Sequence, residues 1–392
     1  MVDNMQIPAL DIDVLTDTQM LKPDSCSHSM TKKYLASPED VWYCKEATDP
    51  MRARYEVLGQ EFYRLFIATQ PVMRLAKKTS NEQYFVLSKE IPDFRPIPFQ
   101  KQIRFTNGIY TGLGQILIVS IFLHEIDLNL GNLGLDRHNR LVKIDGDWSF
   151  ASFVNPELLE GKASDITPAL LSRLPYLTHY DAHNWLDVIQ KGTEHSTSEL
   201  FSDELMQTPY FRSEINAAML QIILLPDSYV HQFINLYLPE NTETLTAYLI
   251  QRKNQLQQSA VRNTSFIQFL STPAATDTVH THLHQIKHFS TADALSPLNH
   301  SEYEDFESEY LSYWAKFRGA FVHSPQTVAD LDAIQSNDLF ENDNSIDIET
   351  ASSISREAPQ ETFRMFSVTP SKQLGDSPLR FNRTFSNLSS FF

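Results

Sequence analysis

The chain has 392 residues, 42% of them hydrophobic and 11% aromatic, enough for a substantial buried core and two or three folding units. Its 49 Asp and Glu against 32 Lys and Arg leave a net charge of -17, which repels nucleic acid and excludes it as the expected partner. Two cysteines, Cys26 and Cys44, are too few for a disulfide framework and read as reduced thiols in a cytosol-like compartment.

Residues 1–20 lack the basic start and apolar run of a secretory signal. Residues 1–27 as a whole are acidic and without clear periodicity, and read as a flexible arm. Over 31–46, Lys33, Tyr34 and Leu35 lead into Ser37, Pro38, Glu39 and Asp40, and Val41, Trp42, Tyr43 and Cys44 follow. That is the turn chemistry and flanking of a hairpin. Asp49 and Pro50 open a helix in cap-then-first-turn order, and Val57, Leu58, Phe62, Leu65 and Phe66 recur near a helical period. Residues 72–76 and 84–87 form two further strand-like runs, after which Pro92, Pro96 and Pro98 mark a hinge. A second helix is predicted over 108–124, a loop over 125–135 and a strand over 140–144. The apolar stretch at 113–123 is too short and interrupted to cross a bilayer, so a soluble protein is expected. From 167 to about 261 the pattern is helical. Beyond about 320 the composition turns polar, with an acidic run and many Ser, Thr and Asn.

The strongest chemical signal is the run from His124 through Asp127 to Asn132, followed by Leu141-Val-Lys-Ile-Asp145-Gly-Asp147. Asp127 precedes Asn132 by five positions, and Asp145 ends an apolar strand. Transfer of a phosphoryl group needs an oxygen acceptor to orient the attacking hydroxyl and hard oxygen ligands to hold a divalent ion on the phosphates. A short loop can aim Asp127 at a hydroxyl and Asn132 at a metal, with Asp145 completing the metal shell. Asp147 is either a further metal ligand or a cap for the segment after it. Upstream, Lys45 ends the apolar run Val-Trp-Tyr-Cys, where it can grip phosphates. On the next helix Glu61 is preferred as the residue that holds Lys45, with Glu56 as its competitor. Lys89, at the end of Tyr-Phe-Val-Leu-Ser-Lys, falls where it would flank a bound adenine.

These motifs resemble the protein-kinase-like superfamily over residues 29–153, and its atypical members, such as phosphatidylinositol 4-kinases and HipA-type kinases, more than ordinary eukaryotic protein kinases. The runs Glu-Phe-Tyr-Arg-Leu-Phe and Lys-Ile-Asp-Gly-Asp-Trp are similar to those of kinase-like effectors that intracellular bacteria such as Legionella secrete by a type IV system. The resemblance implies an α+β fold, a divergent bilobal kinase-like one with a mainly helical C-terminal region. It divides the chain into an arm (1–27), a kinase-like small lobe (28–98), a catalytic core (99–163), a helical extension or accessory domain (164–320) and a largely disordered polar tail (321–392). It implies ATP with Mg²⁺ or Mn²⁺, a catalytic set of Asp127, Lys45 and Glu61, a metal set of Asn132, Asp145 and Asp147, and nucleotide contacts from Lys45, Ser29, Thr31 and Lys89. The expected activity is phosphorylation of protein Ser or Thr hydroxyls in a host cell. A lipid kinase, a nucleotide-binding pseudokinase and a protein AMP-transferase are the alternatives.

The pattern departs from the superfamily in three places. No glycine-rich loop precedes Lys45, Ser27-His-Ser-Met-Thr-Lys-Lys standing in its place. Ile126 occupies the position of an arginine, and Gly146 that of an aromatic. Such gaps point to an outside factor that orders the small lobe. Lys32-Lys33, Arg52 with Arg54, and Lys77-Lys78 are candidate contacts for an anionic activator such as an inositol polyphosphate, or for a phosphoinositide membrane; solvated surface charge is the plainer reading. His280, His284 and His288 share one helical face and read as a surface stripe rather than a zinc site. The aromatic run 303–321 reads as a packed amphipathic helix.

Overall fold

The structure is a computed structural model that describes residues 7, 9–12, 16–20, 31–37, 40–78, 80, 82–97, 103–186, 204–289, 298 and 300–322. Its first region is a six-stranded sheet of β1 (Leu10–Asp11), β2 (Thr16–Met20), β3 (Thr31–Ser37), β4 (Asp40–Ala47), β5 (Met73–Lys78) and β6 (Gln83–Lys89), in the order β1-β5-β6-β4-β3-β2. The predicted hairpin is the β3–β4 pair, and the two strand-like runs are β5 and β6. Between β4 and β5 runs α1 (Pro50–Phe66), opened by Asp49, whose carboxylate accepts from the Met51 amide at 2.8 Å. The helix buries Val57, Leu58, Phe62, Leu65 and Phe66, the apolar face that the sequence shows.

The described residues of the expected arm, 7, 9–12 and 16–20, differ from expectation. Instead of a free arm, Leu10–Asp11 pairs parallel with β5 and Thr16–Met20 pairs antiparallel with β3. Ile12 is buried with Trp42, Cys44, Ala76 and Leu87. Strands this short carry too few residues for a period, and their stability comes from the sheet edges they cover.

After β7 (Arg95–Pro96) and α2 (Ile103–Thr106), the apolar helix α3 (Leu113–Phe122) begins later than the sequence suggests. Gly108 and Gly112 have φ of 73° and 94°, a left-handed backbone that delays the helix, and Thr111 bridges to Arg140. The loop beyond α3 contains β8 (Asp127–Leu128) and β9 (Leu133–Leu135), and β10 (Leu141–Lys143) returns antiparallel to β9. Short helices α4 (Ala151–Val154) and α5 (Pro168–Arg173) and the strand β11 (Asn184–Trp185) follow, with β11 parallel to β8.

The remainder is helical: α6 (Pro209–Leu224), α7 (Asp227–Tyr237), α8 (Thr242–Ala260), α9 (Thr264–Leu270), α10 (Pro273–Lys287) and α11 (His300–Val322). One apolar core runs from Phe62 and Phe66 of α1 through Ile116–Phe122 and Met219–Leu225 to Tyr310 and Phe317. The fold is therefore α+β and divergent bilobal, a sheet-bearing lobe joined to a mainly helical one. All described residues belong to one compact unit within 1–328, and most of the predicted tail (321–392) lies outside them.

A buried arginine shows what the helical region does for the loop. Arg252 of α8 donates to the carbonyls of Ile121 at 2.5 Å and Phe122 at 3.1 Å, to that of Ser164 at 3.0 Å, and to the Tyr180 hydroxyl at 3.3 Å. Those first two carbonyls end α3, where intrahelical donors run out and the helix dipole is negative; the Ile121 carbonyl also accepts from the His124 amide at 3.1 Å. The loop that carries Asp127 thus leaves an anchored helix end. The aromatic run 303–321 lies in α11 and buries Tyr303, Phe306, Tyr310, Trp314 and Phe317. His280, His284 and His288 are exposed, while His282 between them is buried and bonded to Tyr310 at 2.8 Å. Among the described residues, no helix is long and apolar enough to cross a membrane.

Candidate active site

Lys45 lies near the end of β4, opposite Val86 of β6 on one side and Thr31 of β3 on the other. Its Nζ is 2.8 Å from Glu56 Oε1, 3.4 Å from Asp145 Oδ1 and 3.5 Å from Asp147 Oδ2. Three distant stretches, strand, helix and loop, converge on one ammonium. Burial works to lower the Lys45 ammonium; the carboxylates of Asp145, Glu56 and Asp147 overcome it and hold it above the ordinary lysine range.

The carboxylates respond differently. Burial pushes Glu56 up to about 8 against the pull of Lys45. Burial and the neighbouring Asp145 push Asp147 up to about 7. Asp145 meets the same burial, but Lys45 and Lys143 hold it below the ordinary aspartate value. One oxygen from each of Glu56, Asp145 and Asp147 lies within 4.8 Å of the others. A set of hard carboxylate oxygens fits Mg²⁺ or Mn²⁺, and the acidic surplus around Lys45 is what a divalent cation would offset.

The preference for Glu61 as the partner of Lys45 is corrected: Glu56 holds the lysine. Five helical residues separate the two glutamates, about 140° around the helix, so they cannot serve one site. Glu61 turns instead to Arg64 Nη2 at 2.5 Å, the Met73 amide at 2.7 Å and the Tyr237 hydroxyl at 3.3 Å. Gly59 gives α1 its close approach. A Cβ there would stand 2.7 Å from Ser149 Cβ, in the segment just after Asp147.

Asp127 accepts from Asn184 Nδ2 at 2.6 Å and from Asn129 Nδ2 at 3.3 Å, so both of its oxygens are oriented. Asn132 sits at the turn into β9, and its carbonyl accepts from the Ile144 amide at 3.0 Å, beside Asp145. Its side chain is not among the groups around Lys45. Asp147 does not cap the helix that follows: the N-cap of α4 is Phe150, with no side-chain bond. Lys89 lies at the far end of β6, its Nζ 5.7 Å from the centre of the Trp42 ring. Ser29 lies outside the described residues, and of Thr31 only the backbone is described.

The hub that ties this site together carries no motif and is visible only in the fold. Glu125, wholly buried, receives the Asp127 amide at 3.0 Å on one oxygen and Ser149 Oγ at 3.0 Å on the other, which is also 3.1 Å from Lys143 Nζ. Lys143 precedes Asp145 by two residues and Ser149 follows Asp147 by two. One carboxylate therefore fixes the Asp127 loop to both flanks of Asp-Gly-Asp. Asn184 is also read only from the structure, being brought to Asp127 by the β8–β11 pairing. Behind the loop, His124 takes the left-handed conformation and contacts Tyr248 and Ser152 through Nδ1; burial drops its imidazole to about 3, so it stays neutral.

No protein-family model matches the chain, and no curated protein matches it in sequence. Among solved structures the chain is similar to a Helicobacter pylori proinflammatory kinase, CtkA, at 12% identity, over 70% of this chain and 99% of that one, with a TM-score of 0.37.

Proposed function

We propose that the chain is an ATP- and divalent-metal-dependent kinase that transfers the γ-phosphoryl group to protein Ser or Thr hydroxyls. The observation that carries this reading is the meeting of Lys45, Glu56, Asp145 and Asp147 at ion-pair distance, next to a loop whose Asp127 has both oxygens oriented. In this scheme Lys45 binds the phosphates of ATP, kept cationic by its carboxylate neighbours. Asp145 and Asp147, with Glu56 beside them, would hold the metal; the motif spacing alone suggests Asn132 as a further oxygen ligand, which would need its side chain to turn toward them. A bound Mg²⁺ or Mn²⁺ supplies neutralisation of the phosphate charge. Asp127 orients the acceptor hydroxyl and takes its proton as the new O–P bond forms and the bond to ADP breaks. The likeness of its motifs to secreted kinase-like effectors supports a host-cell protein as acceptor.

Incubating the full chain with radiolabelled ATP, Mg²⁺ or Mn²⁺, and protein and phosphoinositide acceptors in parallel tests the reading. Label on protein, an added mass of one phosphate, and loss of both in Asp145→Ala are expected. An added AMP, label on lipid only, or transfer that survives in Asp145→Ala would replace this assignment.

A further inference from the structure

The six-stranded sheet has two faces, and its register separates them. Trp42 and Cys44 of β4 pack with Ala76 and Leu87 on one face, while Met73, Leu75 and Val86 join the core with α1 on the other. Lys45 stands opposite Val86, and Tyr43 opposite Ser88, so strand alternation puts all four on the α1 side. Glu90, two residues past Ser88, continues that row, its amide donating to the Val41 carbonyl at 2.9 Å. The side chains agree: the Tyr43 hydroxyl donates to Glu90 Oε1 at 2.8 Å. Lys89 belongs to the opposite face, beside Trp42, and stands outside this row.

The helix α1 closes one end of the row, where Glu56 holds Lys45 and Val86 is buried. Beyond Lys45 the row stays half-exposed through Tyr43, Ser88 and Glu90. A nucleotide whose phosphates lie on Lys45 therefore extends its base toward Tyr43, about 6.6 Å further along the strand. There it meets an aromatic face with a carboxylate at the far edge. Stacking on an aromatic ring tolerates any base. The carboxylate does not, because its oxygens only accept hydrogen bonds. Guanine presents N1–H and its 2-amino group side by side, two donors for two oxygens. Adenine presents one amino group next to the N1 lone pair, which a carboxylate oxygen repels.

We infer that Tyr43 and Glu90 form the base subsite of the Lys45 cleft and that it takes guanine nucleotides, GTP binding at least as tightly as ATP. The inference rests on the reading of that cleft as a nucleoside triphosphate site and adds which base it selects. Tyr43 supplies the stacking face, and its hydroxyl fixes the Glu90 carboxylate at the edge of the base.

Calorimetric titration of the full chain with ATP and, in a parallel arm, with GTP, both with Mn²⁺, tests the subsite in wild type, Glu90→Gln and Tyr43→Leu. GTP should bind at least as tightly as ATP to wild type. Glu90→Gln replaces one accepting oxygen by a donating amide, so it should weaken GTP by about tenfold and ATP by less than about threefold. Tyr43→Leu removes the stacking face and should weaken both nucleotides by about tenfold or more. Should that variant fail to fold, the isosteric Glu90→Gln decides alone. ATP binding with GTP at least about tenfold weaker, or a Glu90→Gln effect equal on both nucleotides, would overturn the base assignment and leave the nucleotide cleft standing. Binding of neither nucleotide to wild type would remove the cleft reading and this inference with it.

Discussion

Two glutamates on α1 sit in opposite electrostatic settings less than two turns apart. Around Glu56, three carboxylates crowd one lysine, and the surplus is negative. Around Glu61, the guanidiniums of Arg64 and Arg74 crowd one carboxylate, with Arg54 nearby, and the surplus is positive. The first setting is partly open to solvent and carries raised carboxylates; the second is sealed under Tyr237 and the core. A surplus left at an open cleft is available to a ligand of opposite sign, whereas a closed ion cluster principally holds the fold together. The same helix thus serves chemistry on one face and cohesion on another.

The contrast breaks most sharply on activity. Asp127→Asn should lower phosphoryl transfer by about 10²- to 10⁴-fold, the usual weight of a general base, while unfolding in urea stays near wild type. Glu61→Gln should do the reverse. It leaves Arg64 and Arg74 without a counter-charge in the interior and should cost about 3–5 kcal/mol in urea unfolding. Equal stability of Glu61→Gln and Glu56→Gln would erase the distinction between the two clusters. A smaller effect is expected for Gly59→Ala, whose new methyl would press on Ser149 and part α1 from the Asp-Gly-Asp segment. A loss of about 1–3 kcal/mol, measured the same way, is the overpacking range.

The pH dependence gives the mildest test. Glu56 and Asp147 have carboxyls raised to about 8 and about 7 in the folded, metal-free chain. Between an ordinary carboxylate value and these raised ones the folded state binds more protons than the unfolded state. Their contribution to stability is therefore complete below about pH 4 and is lost as pH rises through 7 to 8. Metal ligation needs the same groups deprotonated, so the Tm gain from Mn²⁺ should grow between pH 6 and 8.5. A metal-induced gain that is flat across that range would place the ion elsewhere.

Much of the cleft was legible because its parts are local. Lys45 closes an apolar strand, Asp145 closes another, and Asp127 lies at fixed spacing from Asn132; each needs only a few neighbours to be recognised. The choice between Glu56 and Glu61 was not local. It depends on the rotation of α1 about its own axis, which is set where β5 and Tyr237 meet the helix. Glu125 reads as an ordinary loop acid until Lys143 and Ser149 are brought to it. Arg252 lies 130 residues from the Phe122 carbonyl it satisfies, beyond the reach of any spacing argument. The strands at Leu10–Asp11 and Thr16–Met20 are not legible in the sequence for a related reason: an edge strand takes its structure from the sheet it joins.

Calorimetric titration of the full chain with ATP in the presence of Mn²⁺, beside Lys45→Met and Asp145→Ala, addresses the cleft itself. One-to-one binding that needs the ion and weakens at least about tenfold in each variant is the predicted result, since each removes a direct charge from the phosphates or the metal. Equal ATP affinity in all three proteins, with or without Mn²⁺, would contradict it.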